Sequence, residues 1–444
     1  MRMKNFDHYG YKRKHGRWKR WFLGLIALGV IGSLAILLGA FRTSSVASNV
    51  EQPLSEAEMV ALIPKGRELA LAGDCFGCHS RPNGEMGAGG VAIATPFGTV
   101  YSTNITPDKT YGIGSYTRAD FHRALKDGIG KGKGNLYPAM PFVFTHVTTP
   151  ADLDALYAYM MSIPAMAVPN AKNSGVFELP VRPFMNFWTL LNFPDRKVVE
   201  DPERSAAWNR GAYLVEGLAH CGACHSPRNV MMGVEFSKSL QGGFVDNMAI
   251  PDITAAALAN HGYTLADLTQ YLATGVSKEG TSFAGMNTVT HFSTSQMQAQ
   301  DVKAIATYLL TDRKGKLLSA DVLPMPINEV SKLMDKGELA QGRNLYMAAC
   351  AACHGEDGYG IPHVAPALKG NAIVEMSNPE TLIAVVLNGL ETTTYSHSER
   401  MYAMPGFKDR LNAQEIADLL TWLRAEWGGE SVAVSPKSIA VINP

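Results

Sequence analysis

Cys75-Phe76-Gly77-Cys78-His79 decides the reading of this chain, because it recurs as Cys221-Gly222-Ala223-Cys224-His225 and Cys350-Ala351-Ala352-Cys353-His354. The three copies use all six cysteines of the 444 residues. Two thiols three positions apart, followed at once by an imidazole, form the attachment signature of a c-type haem. Each thiol can add to one vinyl group, and the histidine then faces the iron. Cys75, Cys78, Cys221, Cys224, Cys350 and Cys353 are therefore the candidate cofactor-binding residues for three covalent haems c, with His79, His225 and His354 as proximal metal ligands. Three other uses of cysteine pairs compete. A redox dithiol gives no reason for a histidine after every pair. Zinc knuckles sit close together, whereas these pairs begin 146 and 129 residues apart. A disulfide framework suits an exported protein, but three identical short motifs argue against it.

A proximal histidine leaves one axial position on the iron, and a methionine there raises the potential and closes the metal to substrate. His79 and Met140 are 61 residues apart, His225 and Met286 again 61, and His354 and Met404 50. Met140 and Met404 precede Pro141 and Pro405, whose fixed φ and missing N–H suit a loop passing the haem. Met286 has the spacing without the proline. These three are the candidate sixth ligands; the rest of the 20 methionines read as core filler.

The equal spacings are part of a longer repeat. Cys75 and Cys221 are offset by 146, as are Met140 and Met286, while Tyr116-Thr117 meets Tyr263-Thr264 and Gly128 meets Gly275 at 147. Each copy opens with a helix bearing a glycine (Gly66, Gly211, Gly342) and closes with an apolar-periodic helix bearing an aromatic (Tyr159, Tyr308, Trp422). The aromatic is expected to pack over the glycine where the two helices cross. Domains are expected at 52–166, 204–312 and 333–428. A proline-rich connector fills 167–203, with an aromatic cluster of Phe184, Phe187, Trp188 and Phe193. A second connector covers 313–332, and 429–444 reads as a C-terminal tail.

The formal charge of zero hides a split: residues 1–20 hold eight basic residues against Asp7 alone, leaving 32 bases against 39 acids in the remainder. Such a body excludes general nucleic-acid binding, which needs a basic surface. Behind this basic cytoplasmic tail, residues 21–41 are uncharged and about 31 Å long as a helix, enough for a hydrocarbon core of ~30 Å. The expectation is a single transmembrane anchor with everything after it exported; a signal peptide cleaved after Ala47 is the other reading. No H-E-x-x-H, G-x-S-x-G or nucleotide-binding glycine fingerprint is present, so no catalytic residue is assigned.

Several stretches resemble one family: Tyr101-Ser102-Thr103-Asn104-Ile105-Thr106-Pro107-Asp108, Tyr137-Pro138-Ala139-Met140-Pro141-Phe142, Trp208-Asn209-Arg210-Gly211-Ala212-Tyr213-Leu214, Cys221 through Asn229, and Ala403-Met404-Pro405. They are similar to the cytochrome c subunits of bacterial membrane-bound dehydrogenases, over roughly residues 55–427. The resemblance implies an all-α chain of three tandem class I-type cytochrome c domains behind the N-terminal transmembrane helix. It implies an electron-transfer subunit rather than an enzyme in its own right. A quinoprotein, flavoprotein or molybdoprotein catalytic subunit would be the donor, ubiquinone the acceptor, and the periplasmic face of the inner membrane the location. It also implies a proline carbonyl behind each proximal histidine: Pro366 fits, Pro96 fits loosely, and the second copy offers no clear equivalent. Two rivals remain: a haem enzyme with one open iron, and a tethered carrier between a quinol-oxidising complex and a terminal oxidase.

Overall fold

The computed structural model describes residues 15–40, 50, 52–82, 84–245, 248–319, 336–361, 364–395, 400–430 and 432–442. Three crossing pairs of helices organise it: Glu56–Ala72 with Pro150–Ser162, Ala206–Glu216 with Ala299–Leu309, and Lys336–Ala349 with Ala413–Glu426. In each pair the leading helix comes so close that a Cβ on its glycine would collide with the closing helix. On Gly66 it would lie 1.9 Å from the Ala155 carbonyl oxygen and 2.6 Å from Tyr159 Cβ; on Gly211, 2.1 Å from Ala304 O and 2.7 Å from Tyr308 Cβ; on Gly342, 2.2 Å from Asp418 O and 2.6 Å from Trp422 Cβ. Side-chain-free contact lets the ridges interlock and buries Leu69, Leu153 and Leu156 in the first pair, Leu214 and Ile305 in the second, and Leu419 and Leu420 in the third.

Local signals fix the helix starts. Thr117 with Asp120 and Thr264 with Asp267 form capping boxes at equivalent places in the first two repeats, and Gly128 and Gly275 end those helices in the left-handed conformation.

The fold is not all-α. Among the described residues five two-stranded antiparallel sheets occur: Ala92–Thr95 with Gly98–Tyr101, Ile129–Gly130 with Gly134–Asn135, Gln241–Val245 with Met248–Asp252, Val276–Ser277 with Gly280–Thr281, and Thr393–Thr394 with Arg400–Met401. Three of these ladders hold two pairs each, too short to leave a period-two pattern in sequence.

The expected membrane anchor over 21–41, and with it the location as a single-pass protein of the inner membrane with its haem domains on the periplasmic side, is also corrected. Among the described residues no helix is long and apolar enough to cross a membrane. A helix does run His15–Ala40, and Phe184 stands 3.7 Å from where a Gly32 Cβ would be, so part of its face packs on protein. Phe41, the alternative cleavage point after Ala47, residues 1–14 of the basic tail and 320–332 of the second connector lie outside the described residues.

The first connector is less extended than its prolines suggest. It contains the turns Gly175–Glu178 and Arg182–Phe184 and the helix Met185–Asn192. Trp188 and Phe193 pack edge-on against Phe142 at 6.2 and 5.5 Å, so that part of the aromatic cluster covers the first repeat's own surface. The C-terminal segment returns likewise, burying Val434 and Ile439 in the third core.

Candidate haem-attachment sites

Each motif follows directly on its leading helix, so that the helix crossing places it. In every copy the first cysteine is half-buried and the second exposed, and none of the six is disulfide-bonded. Burial, with help from Asp74 and the neighbouring thiol, pushes Cys75 up to about 12; Cys221 also lies at about 12 and Cys350 at about 11, burial again the main cause. A redox dithiol needs a depressed thiol pKa, so the first cysteine of each pair is poorly suited to that use. Among the described residues no three His, Cys, Asp or Glu side chains converge as a metal cluster, which removes the zinc reading there.

The histidines carry the strongest geometry. His79 Nδ1 lies 2.6 Å from the Thr103 carbonyl oxygen, His225 Nδ1 2.8 Å from Pro251 O, and His354 Nδ1 2.9 Å from Pro366 O. A carbonyl can only accept, so each Nδ1 carries the proton and donates it. Each Nε2 lone pair is then directed away from the backbone, as a ligating imidazole requires. Burial holds all three rings below their ordinary pKa against the opposing pull of those carbonyls, keeping them neutral and able to bind a metal. The donor set thus fits a covalent haem: two thiols, one oriented neutral imidazole and a soft sulfur within each repeat.

Pro366 supplies the third carbonyl as expected, but Pro96 does not supply the first. Thr103 does, and Pro251 does so in the second copy, where none was foreseen. Both precede matching triplets, Asn104-Ile105-Thr106 and Asp252-Ile253-Thr254, and that match was the available signal. Asn104 shows what the triplet does: its side chain bonds the Thr106 backbone at 2.9 Å and the Met166 carbonyl at 2.7 Å, locking the Thr103 loop.

Met140, Met286 and Met404 are each half-buried. Met140 lies in a turn, its N–H donating to Tyr137 O at 3.0 Å, and Met404 bridges Leu390 through both backbone groups at 2.9 Å. Met286 differs, sitting in the first turn of the helix Ala284–Phe292.

Comparison with known proteins agrees with this chemistry. The family described as cytochrome c matches residues 63–164 and 339–427. One of the subunits of the nicotinate dehydrogenase of Pseudomonas putida is 38% identical over 93% of the chain, which spans only 34% of that longer protein. The cytochrome c subunit of the quinone alcohol dehydrogenase of Komagataeibacter europaeus is 33% identical, covering 90% of this chain and 88% of its own. The gluconate 2-dehydrogenase cytochrome c subunit of Pantoea cypripedii is 34% identical over 92% of this chain and 93% of its own. With near-complete mutual coverage of the last two and the attachment geometry in place, the chain belongs to the cytochrome c family, among the cytochrome c subunits of dehydrogenases.

Proposed function

We propose that the chain holds three covalent haems c, one in each of the domains 52–166, 204–312 and 333–428, and conducts electrons from a catalytic dehydrogenase subunit to ubiquinone. The observation that carries this is the threefold anchoring of a neutral histidine through Nδ1 by a backbone carbonyl, beside a cysteine pair each time. When bound, haem supplies reversible one-electron chemistry at its iron. The protein's part is positional. Cys75 and Cys78, Cys221 and Cys224, and Cys350 and Cys353 fix the group; Thr103, Pro251 and Pro366 orient the rings of His79, His225 and His354. Met140, Met286 and Met404 offer thioethers as sixth ligands and so deny the metal to substrate.

Relatives that serve alcohol and gluconate dehydrogenases support a small alcohol or sugar acid as the partner's substrate. The test is mild purification of the full chain with its haem count. Three haems per chain by pyridine haemochrome, together with a stoichiometric flavin-, quinone- or molybdenum-containing subunit whose substrate reduces the haem bands, are expected. A solitary cytochrome sinks the subunit reading. Native reduced protein that binds carbon monoxide at one haem per chain moves the reading to a haem enzyme.

A further inference from the structure

We propose that Lys133 and Arg182 form a two-cation seat for the carboxylate side chains of the haem attached at Cys75 and Cys78, and that the second repeat lacks this seat. The proposal rests on the haem reading above. Both cations flank the loop that leads to Met140. The hairpin Ile129–Gly130 with Gly134–Asn135 carries Lys131, Gly132 and Lys133 at its tip, and Gly132, at φ +66°, makes the turn between the two lysines. Lys131 is already engaged: its ammonium pairs with Asp120 Oδ2 at 2.9 Å and donates to the Ser115 carbonyl. The Lys133 ammonium has no hydrogen-bond or ion-pair partner among the described residues.

Arg182 comes to the same place from the connector. Its Nη1 donates to the Asn135 carbonyl at 2.5 Å, and its guanidinium lies 4.4 Å above the centre of the Tyr137 ring. Neither contact neutralises its charge. Burial and, after it, the nearby Arg182 guanidinium lower the basicity of Lys133. The loop that the two cations flank packs at the attachment site: Leu136 and Met140 join the same apolar core as Cys75 and Phe76. Among the described residues neither cation has a carboxylate partner, so the two repel each other unless an anion joins them. Haem c carries two carboxylates, and Lys and Arg are their ordinary charge-assisted donors.

The second repeat gives the contrast. Its hairpin, Val276–Ser277 with Gly280–Thr281, has a two-residue tip of Lys278 and Glu279. Lys278 pairs with Asp267 Oδ2 at 3.2 Å, as Lys131 pairs with Asp120, and both aspartates are capping-box residues of equivalent helices. The shortened tip leaves no place for a second lysine, and Glu279, 3.4 Å from Lys278, follows instead. Tyr137 falls on Phe283 in the 146-residue register. Cations favour the reduced, more negative site, so the first haem takes up an electron more readily than the second on this account.

The test is spectroelectrochemical titration of the full-length, haem-loaded protein, comparing Lys133→Gln, Arg182→Gln, the double variant and Lys131→Gln. The double variant is expected to lower one of three midpoint potentials by about tenfold in the reduction equilibrium, about 59 mV for one electron. Lys133→Gln, at an exposed tip, is expected to give part of this shift with no loss of folding, and added salt to diminish it. Lys131→Gln should leave all three potentials in place. Three unmoved potentials in the double variant, or an equal shift from Lys131→Gln, overturn the proposal. A haem count accompanies each titration: wild-type protein without haem at Cys75 and Cys78 refutes the haem reading itself, whereas three haems with unmoved potentials refute only the cation seat.

Discussion

Replacing Gly66 by alanine tests whether the helix crossing positions the first attachment site. The new methyl would lie 1.9 Å from the Ala155 carbonyl oxygen and 2.6 Å from Tyr159 Cβ. The closest ordinary carbon–oxygen contact is about 3.3 Å, so the helices Glu56–Ala72 and Pro150–Ser162 must part by more than about 1 Å. Both obstacles are backbone or Cβ atoms, and no rotamer change relieves them. Overpacking of this kind costs about 1–3 kcal/mol, and here the upper end applies because Leu69, Leu153 and Leu156 lose contact along the same seam. Alanine returns about 1 kcal/mol through helix propensity. The net loss is about 2 kcal/mol, which at an m-value of about 2 kcal/mol/M lowers the urea midpoint by about 1 M. Gly285→Ala is the internal control: it lies in the helix Ala284–Phe292 with nothing within 4 Å of its added methyl, so its stability should change by under about 1 kcal/mol. Unfolding is followed by far-ultraviolet circular dichroism and haem absorbance on the same samples. A Gly66→Ala protein as stable as Gly285→Ala would refute the crossing argument.

Met286→Leu keeps volume and apolarity, so packing should cost under about 1.5 kcal/mol, while one of three haems becomes able to bind carbon monoxide when reduced; three unchanged low-spin haems would make Met286 a bystander. Asp154 accepts from Arg118 Nε and Nη2 at 2.5 Å each and lies 2.8 Å from His122 Nε2, with little solvent access to any of them. Asp154→Ala strands the arginine and is expected to cost about 3 kcal/mol in thermal unfolding; a loss under about 1 kcal/mol would mark the pair as a surface one. Asp74 is buried at φ +46° with Oδ1 unpartnered, and burial raises its pKa from 3.8 to about 7. The folded state therefore holds this proton more tightly than the unfolded chain, and stability contributed by Asp74 is present below about pH 4 and lost as pH rises to about 7. Asp74→Asn, which tolerates the left-handed backbone, should stabilise the protein on the order of 2 kcal/mol at pH 8 and leave it unchanged at pH 4; equal effects at both pH values would contradict this.

What could be read from the sequence were features in which a side chain or its absence is itself the constraint. The Cys-x-x-Cys-His motifs, the 146-residue register and the pairing of Gly66, Gly211 and Gly342 with Tyr159, Tyr308 and Trp422 are of this kind, because only glycine permits those backbones to touch. Features resting on the backbone alone were hidden. The carbonyl behind His79 belongs to Thr103 and the one behind His225 to Pro251, and any residue type has a carbonyl. The short hairpins depend on glycines in the left-handed region, Gly132 and Gly134 in one of them, rather than on alternating hydrophobicity. The helix His15–Ala40 and the connector share a different lesson: apolar length suggested a span, whereas Phe184 reaches to 3.7 Å from where a Gly32 Cβ would stand, so protein packs on part of that face.

The uneven repeat has a physical cause in how the three cores are built. Leu71 and Ala72, at the end of the first leading helix, are buried among Leu214, Val215 and Ile305 of the second repeat, and Leu218 is buried among Leu69, Phe76 and Leu153 of the first. Phe144 of the first repeat lies 3.1 Å from where a Cβ on Gly222 of the second motif would stand, and Phe292 of the second packs into the first core. Each of these two repeats completes the other, so a length change in either would displace buried residues in both, and the spacing of 61 residues from histidine to methionine is held in common. Among the described residues the third core contains only those from 339 onward. Its junction with the second repeat is made by polar contacts: Tyr395 Oη donating to Ser282 O at 2.5 Å, Thr381 Oγ1 to Ala249 O at 2.9 Å, and a His261–Glu375 pair. Polar docking of this sort tolerates changes behind the interface better than a shared apolar core does. The third repeat could therefore shorten its loop to 50 residues without disturbing the interlocked pair, and Tyr395 keeps the loop that leads to Met404 against the segment that leads to Met286.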